Sequence, residues 1–276
     1  MTLTACKKAP FEPKKPGSGE DLLRIINLTK DYSTRDGPIV TALPGVSITM
    51  ADGEFVVLVG PSGCGKTTLL KILAGIVAPT TGEVIYGGKR IVGAQAGMGV
   101  VFQSPVLMPW LRIIDNCLLP AKVLGIDRTL ARKTANDLLT LVGLQGFENK
   151  YPSELSGGMQ QRAAIVRSLV HDPAILLMDE PFGALDALTR DRMNVELERI
   201  WMSRKKTIFL ITHSIPEAVF LADRVLVMSE RPGKIIKELK IPFDRPRDIN
   251  LTGTNEFGNY VREIRDLLGS HEEKRP

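Results

Sequence analysis

The segment that decides the fold reads Phe55-Val56-Val57-Leu58-Val59-Gly60-Pro61-Ser62-Gly63-Cys64-Gly65-Lys66-Thr67. Its first part is apolar throughout and rich in β-branched side chains, which is typical of a strand covered on both faces in a parallel sheet. Its second part satisfies G-x-x-x-x-G-K-[ST] directly before a helical run from Thr68. The glycines let successive N–H groups point inward, and this nest of donors at a helix N-terminus binds phosphate. Lys66 would add a positive charge for the β- and γ-phosphates, and the Thr67 hydroxyl would bind Mg²⁺.

The alternative interpretation is a glycine-rich turn without a ligand, which the flanking strand and helix make less favoured. Further apolar runs at 174–178, 207–211 and 224–228 alternate with helical patterns at 69–75, 130–142, 160–171 and 188–203. Two segments nearer the start, 23–26 and 46–50, indicate half-buried antiparallel strands because apolar and polar residues alternate in them. This order predicts an α/β domain with a mainly parallel sheet, an antiparallel β part and a helical insertion at about 105–172.

The two ends of the chain differ from this domain, which we place at 21–245. Residues 1–20 hold four lysines among prolines and glycines, and we predict a disordered basic tail because so little apolar area can be buried there. The extension 246–276 is expected to contain a short amphipathic helix. Its apolar residues at helical spacing are Val261, Ile264, Leu267 and Leu268.

Composition excludes several classes of protein. Among the 276 residues, the three cysteines are far apart, which argues against a disulfide framework or a zinc cage. The net charge of +5 is mild and aromatics make up only 5%, so we expect no nucleic-acid partner. No run of about 18 apolar residues is present. We therefore expect a cytoplasmic protein.

A second acidic site follows the apolar run at 175–178. Asp179 comes at the carboxyl end of that strand, where open parallel sheets bind ligands, and could hold Mg²⁺ directly or through water. Glu180 points to another side of the backbone and could accept a proton from a water that attacks the γ-phosphate. The alternative is an acidic helix cap after a strand.

The stretch Leu155-Ser156-Gly157-Gly158-Met159-Gln160-Gln161-Arg162 resembles the signature sequence of the ATP-binding cassette (ABC) ATPases. The resemblance covers about residues 22–245 and implies the P-loop NTPase fold of an ABC ATPase, with an antiparallel β subdomain and an inserted helical subdomain. It also implies a homodimer in which the signature of one chain faces the ATP held by the P-loop of the other. Mg²⁺ and ATP are the cofactors it implies.

The same resemblance assigns further residues. Tyr32 is similar to the aromatic that stacks on adenine, although a tyrosine after a strand is more often a packing residue. Gln103 resembles the glutamine that reaches Mg²⁺ and the attacking water. His213, otherwise a partly buried structural histidine, resembles the one that contacts the γ-phosphate and orients Glu180. Asp186 matches the loop that crosses the dimer interface. The predicted ATP-binding residues are Tyr32, Gly60, Pro61, Ser62, Gly63, Cys64, Gly65, Lys66, Thr67, Thr68, Ser156, Gly157, Gly158, Gln160 and Asp186.

The predicted catalytic groups are Glu180, His213, Gln103 and Lys66, and the predicted metal ligands are Thr67, Gln103 and Asp179. Two positions depart from the family pattern. Ser214 stands where many relatives have Asp, and Met159 precedes Gln160 in the signature. The thiol of Cys64 lies beside Lys66 at a helix N-terminus, which predicts a lowered pKa.

A finer resemblance concerns what the ATPase drives. The stretches 107–111, 216–224 and 229–235 are similar to nitrate, sulfonate and taurine importer ATPases. This implies a peripheral subunit on the inner face of the membrane, bound to an integral membrane permease and served by a solute-binding protein. Met108, Pro109 and Trp110 would line the groove for a permease helix, with core packing as the alternative. A non-transport cassette acting as a nucleotide-dependent binding module and a small-molecule P-loop kinase are the other functions considered.

Overall fold

A computed structural model describes residues 21–33, 37–183 and 185–269, so the predicted tail at 1–20 lies outside the described residues. The strands are β1 (Asp21–Tyr32), β2 (Val40–Ala51), β3 (Phe55–Val59), β4 (Thr81–Tyr86), β5 (Lys89–Arg90), β6 (Met98–Val101), β7 (Ile175–Asp179), β8 (Thr207–Thr212), β9 (Arg224–Met228) and β10 (Ile235–Lys240). The helices are α1 (Lys66–Leu73), α2 (Ile113–Leu124), α3 (Arg128–Leu141), α4 (Gly157–Leu169), α5 (Ala187–Arg204), α6 (Ile215–Leu221) and α7 (Asn255–Gly269).

The larger sheet has the strand order β10-β9-β3-β8-β7-β6. β9, β3, β8, β7 and β6 run parallel, and only β10 pairs antiparallel at one edge. Every residue of β3 is buried because the strand has a core on each face. Phe55, Val57 and Val59 face one core, whereas Val56 and Leu58 face the other. The predicted α/β fold with a mainly parallel sheet is confirmed.

The smaller sheet has the order β2-β1-β4-β5, and its pairs are antiparallel. β1 and β2 alternate buried and exposed residues, as expected for strands with one face on a core. Their buried side chains share a core with α1, so this sheet covers the side of β3 on which the P-loop helix lies. The antiparallel strands expected at 23–26 and 46–50 fall inside β1 and β2.

The segment between β6 and β7 is helical, with α2, α3, α4 and a short 3-10 turn at Pro152–Glu154. Their apolar faces share one core, in which Cys117, Leu138 and Ala163 are almost inaccessible to solvent. Asn116 is also fully buried because its side chain bonds to the backbone of Met108 and to the carbonyls of Leu111 and Arg112. The buried amide therefore fixes the loop that carries Trp110.

The C-terminal segment packs back onto the α/β core. α7 buries Phe257 and Ile264, and the ring of Phe243 stacks on Phe257 at 6.1 Å between centroids. Arg247 inserts its guanidinium among the carbonyls at the end of α6, where a positive charge is favoured. Among the described residues, none of the helices combines the length and apolar character that crossing a bilayer requires.

Candidate active site

The P-loop joins β3 to α1, and its glycines adopt conformations that other residues rarely reach. Gly63 and Gly65 have φ values of +77° and +110°. A Cβ atom on Gly65 would also lie 2.9 Å from the carbonyl oxygen of Ala42. Lys66 begins α1 and is buried, and its Nζ donates to the carbonyls of Gly60 at 2.7 Å and Pro61 at 2.8 Å. The lysine charge is thus held inside the loop, as a phosphate cradle requires.

Tyr32, the last residue of β1, lies beside the start of α1. Its hydroxyl is 3.4 Å from Oγ1 of Thr68, and Nζ of Lys30 lies 5.2 Å from its ring centroid. The side chain is 39% exposed, which leaves part of the ring free to contact a flat ligand. The structure therefore brings Tyr32 to the P-loop, and its stacking on adenine stays a prediction.

Asp179 ends β7 with its carboxylate buried. Burial raises the pKa of Asp179, and a hydrogen bond from the side chain of Thr67 acts in the opposite direction. The contact places a hydroxyl and a carboxylate side by side next to Lys66. Both are hard oxygen ligands of the kind that Mg²⁺ prefers.

Glu180 turns away from Asp179 because its backbone has a φ of +46°, which is unusual for a residue with a Cβ atom. One carboxylate oxygen, Oε2, accepts a hydrogen bond from Nε2 of Gln103 at 3.2 Å and lies 3.1 Å from Nδ1 of His213. The Glu180 side chain is 19% exposed and that of His213 is 55% exposed. The three side chains expected to act together therefore meet at one oxygen atom of a carboxylate group that is partly exposed.

The sheet explains this meeting. Gln103, Glu180 and His213 follow β6, β7 and β8, which are neighbouring parallel strands. The carboxyl ends of such strands lie at one edge of the sheet, where ligands bind in open α/β folds. The P-loop follows β3, the next strand along, so all these groups share that edge.

The signature sequence lies on a different element, the N-terminus of α4. Ser156 is the N-cap, and its Oγ accepts a hydrogen bond from the amide of Met159 at 3.3 Å. Gln160 donates to the carbonyls of Pro152 and Leu155 and so supports the loop before the cap. Ser156 and Gly157 are exposed at this helix end.

Asp186 is the N-cap of α5. Its Oδ1 accepts a hydrogen bond from the amide of Thr189 at 3.0 Å. This backbone contact lowers the pKa of the Asp186 carboxyl. The side chain therefore orders the start of α5, and its part at a dimer interface stays a prediction.

One expectation, on the thiol of Cys64, is wrong. Burial of Cys64 raises the pKa of its thiol, because loss of solvent outweighs the charge of Lys66, whose Nζ lies 3.9 Å from the sulfur. His171, which follows α4, is part-buried. Its Nε2 contacts the carbonyl of Met98 in β6 at 3.3 Å, and burial lowers the pKa of its ring.

Sequence reasoning missed four residues that support the site. Gln161 and Arg167 bond from α4 to carbonyls on either side of Gln103. Thr212 and Glu217 bond to each other across the turn that carries His213. Their only sequence signal is position: Thr212 directly precedes the histidine, and Gln161 lies inside the signature stretch.

Comparisons with known proteins agree with this geometry. A family model described as ABC transporter matches residues 43–183. An uncharacterized ABC transporter ATP-binding protein of Methanocaldococcus jannaschii is 46% identical over 257 residues, covering 93% of this chain and 95% of that protein. The taurine import ATP-binding protein TauB of Roseobacter denitrificans is 45% identical over 256 residues, covering 91% of this chain and 96% of that protein.

A solved structure is also similar. The ATP-binding cassette MJ0796, in a dimeric post-hydrolysis state bound to ADP and Pi, matches with a TM-score of 0.73 and 32% identity, over 80% of this chain and 100% of that chain. The match confirms the ABC ATPase fold and supports ATP hydrolysis as the reaction of a site with this geometry. The chain belongs to the ABC transporter family and is an ATP-binding ATPase.

Proposed function

We propose that this ATPase is the energy-supplying subunit of an importer for taurine or a similar sulfonate. The observation that carries the hydrolytic part of the proposal is the convergence of Gln103 and His213 on one oxygen of Glu180, at the sheet edge that also carries the P-loop. The likeness to taurine import proteins supports the choice of solute class. Nitrate is the alternative solute within the same resemblance.

In this proposal Glu180 is the general base. It takes a proton from the water that attacks the γ-phosphorus, the bond to the bridging oxygen breaks, and ADP leaves with that electron pair. His213 and Gln103 hold the carboxylate and the water in line, and Lys66 balances the charge that develops on the phosphate oxygens. Such positioning is the main contribution that a protein can make to phosphoryl transfer.

Mg²⁺ fits the donor set on this edge. Thr67 offers a hydroxyl, Gln103 an amide oxygen and Asp179 a carboxylate, while the described residues form no cluster of His, Cys, Asp and Glu that would favour a transition metal. When bound, the ion neutralises charge on the β- and γ-phosphates. Because burial raises the pKa of Asp179, a cation beside it would also favour its ionised form.

A homodimer would complete the site. The P-loop is at the sheet edge, whereas Ser156 lies at the exposed N-terminus of α4, in the helical segment. The N-terminus of α4 could bind phosphate, as helix N-termini do, if it faced ATP held by the P-loop of another copy. The dimeric state of the related cassette supports this arrangement.

Replacing Glu180 by glutamine tests the general base. The variant keeps the shape of the side chain but cannot take the proton, so we expect ATP binding near the wild-type level, kcat reduced by at least about a hundredfold, and a dimer locked by ATP. Glu256→Gln, an exposed carboxylate on α7, is the matched control. ATP hydrolysis by Glu180→Gln at the control rate would remove Glu180 from its role.

The permease is expected to bind the helical segment. Trp110 is 70% exposed, which contradicts the alternative that it packs in the core. A groove of about 440 Å³ begins at the next residue, Leu111, and in it apolar side chains of α2 such as Leu118 lie beside charged ones such as Asp115 and Lys122. This surface could receive a helix from an integral membrane partner and would place the ATPase at the inner face of the membrane, below a solute-binding protein on the other side.

The importer assignment is tested by co-expressing this chain with a taurine-type permease. We expect the two to copurify from detergent and to take up taurine only when ATP and a binding protein are present. Trp110→Ala should lower both association and uptake, whereas Val92→Ala, an exposed apolar side chain elsewhere, should not. Steep salt-dependent binding to DNA without permease association would favour the nucleotide-dependent binding module instead.

A further inference from the structure

The turn that carries His213 contains two buried polar side chains that the proposed reaction does not use. Thr212 ends β8 and is 2% exposed, and Glu217 lies in the first turn of α6 and is 4% exposed. A glutamate is rarely buried to this extent without a specific partner. His213 is between them in sequence and exposes its ring toward Glu180.

Hydrogen bonds join these residues into a closed chain. Oγ1 of Thr212 donates to Oε2 of Glu217 at 2.7 Å and accepts from the amide of Ser214 at 3.0 Å. The amide of Glu217 in turn donates to Oγ of Ser214 at 3.4 Å. The backbone on both sides of His213 is therefore tied to one buried carboxyl group.

This arrangement differs from an ordinary helix cap. Ser214 is the N-cap of α6 and Glu217 is the third helical residue, the positions of a capping box. In a capping box the glutamate would bond directly to the amide of the N-cap residue. Here the hydroxyl of Thr212 stands between the two, so the restraint reaches back beyond His213 into β8.

The surroundings of Glu217 favour a role that goes beyond stabilising the helix. Burial raises the pKa of Glu217 to about 7, and the negative charge of Glu180 acts in the same direction. The charge of Arg190 in α5 opposes the shift. Oε1 of Glu217 has no hydrogen-bond partner among the described residues. A buried, half-satisfied carboxyl near the reacting groups is costly, and such groups are concentrated at functional sites.

We propose that Glu217 and Thr212 are positioning residues, which fix the turn at His213 and thereby set the distance between Nδ1 of His213 and the carboxylate of Glu180. The inference rests on the proposed roles of His213 and Glu180. It assigns no contact with ATP to either positioning residue. Their loss should therefore affect kcat rather than the KM for ATP.

Two matched pairs of variants test this. Thr212→Val keeps the side-chain shape but removes the hydroxyl, and we expect kcat to fall at least about tenfold with KM for ATP within about twofold. Thr212→Ser restores the hydroxyl and should recover most of the rate. Glu217→Gln keeps an acceptor and should stay within about threefold of wild type, whereas Glu217→Ala should resemble Thr212→Val. Both groups act through one chain of hydrogen bonds. The double variant Thr212→Val/Glu217→Ala should therefore have a kcat no lower than that of Thr212→Val alone.

Proton NMR of the imidazole groups gives a readout without turnover. The sequence has three histidines, His171, His213 and His271, so each ring resonance can be assigned by substitution. Thr212→Val should move the His213 resonances and leave the other two unchanged. Unchanged His213 resonances, or a wild-type kcat in Thr212→Val, would overturn the proposal. Near-normal hydrolysis by Glu180→Gln would instead show that Glu180 is not the general base. The shift of the His213 resonances in Thr212→Val would still be expected, so failure of the proposed function and failure of this inference are distinguishable.

Discussion

Replacing Glu198 by alanine removes the carboxylate that joins α5 to the C-terminal segment. Glu198 is 2% exposed, and its Oε1 accepts from Nη1 of Arg245 at 2.8 Å. Its Oε2 accepts from the backbone amide of Arg247 at 3.0 Å. Arg245 also lies 4.2 Å from the ring centroid of Trp201 and bonds to Asp223 at 2.8 Å.

The structure sets the size of the effect. Hydrogen bonds to a charged group contribute about 1.5–3 kcal/mol each, and Glu198 makes one to a guanidinium and one to a buried amide. Arg245 keeps its bond to Asp223, which limits the loss, but the amide of Arg247 is left buried without an acceptor. We expect Glu198→Ala to lower the free energy of unfolding by about 3–5 kcal/mol, the usual cost of breaking a buried pair.

Urea unfolding followed by tryptophan fluorescence measures this directly. The two tryptophans are Trp110, which is exposed, and Trp201, which lies under Arg245. In a Trp110→Phe background the signal therefore reports the region that is perturbed. The control is Glu83→Gln, which breaks an exposed ion pair at 3.8 Å and should cost about 0–1 kcal/mol. A loss below about 1 kcal/mol in Glu198→Ala would refute the reasoning, since the carboxylate would then not hold the C-terminal segment.

Two further predictions concern Glu217 and Arg167. Burial raises the pKa of Glu217 from 4.5 to about 7, so between these pH values the folded chain holds a proton that the unfolded chain has released. The free energy of unfolding of the wild type, relative to that of Glu217→Gln, should therefore fall by about 3 kcal/mol as the pH rises from 4.5 to 7. Urea unfolding of both proteins across this range measures the difference, and a difference that does not change with pH would contradict the prediction. Arg167 donates to the carbonyls of Pro105 at 2.8 Å and Val106 at 2.7 Å. Arg167→Met should free this turn and lower kcat several-fold with unchanged ATP affinity. Arg199→Met, which replaces an exposed side chain on α5, should leave kcat unchanged, and steady-state kinetics measures both.

The fold was predictable where one residue pattern had one physical explanation. The continuous apolar run of β3 is typical of a strand with a core on both faces, and the glycines after it require a tight turn. β6 was missed because it has four residues and a glycine inside. Gly99 is there because a Cβ atom would lie 2.5 Å from the carbonyl of Ser168, a contact that no local pattern reveals. α2 lies inside the predicted helical insertion, but its bounds were not predicted because Pro120 and the buried Asn116 interrupt its apolar face.

The site was predictable at the level of residue type and order along the chain. Each reactive group follows a strand, and neighbouring parallel strands bring their carboxyl ends together. The sequence could not show that Gln103 and His213 share one oxygen of Glu180, since that depends on strand order and on the φ of Glu180. The pKa of Cys64 was predicted in the wrong direction because neighbouring charge is visible in a sequence, whereas burial is not.

The contacts of α4 connect three features that lie apart in the sequence. Gln161 donates to the carbonyl of Phe102 at 3.0 Å, and Arg167 bonds to the carbonyls of Pro105 and Val106, so the segment around Gln103 is tied to α4 on both sides. The N-terminus of α4 carries Ser156, and the same segment leads on to the exposed loop of Trp110. A ligand that pulls on Gln103 must therefore move α4 with it or break charge-assisted bonds from a half-buried arginine. The phosphate site, the signature and the proposed permease surface are thus connected through α4, and we expect a displacement of Gln103 to be transmitted to the other two.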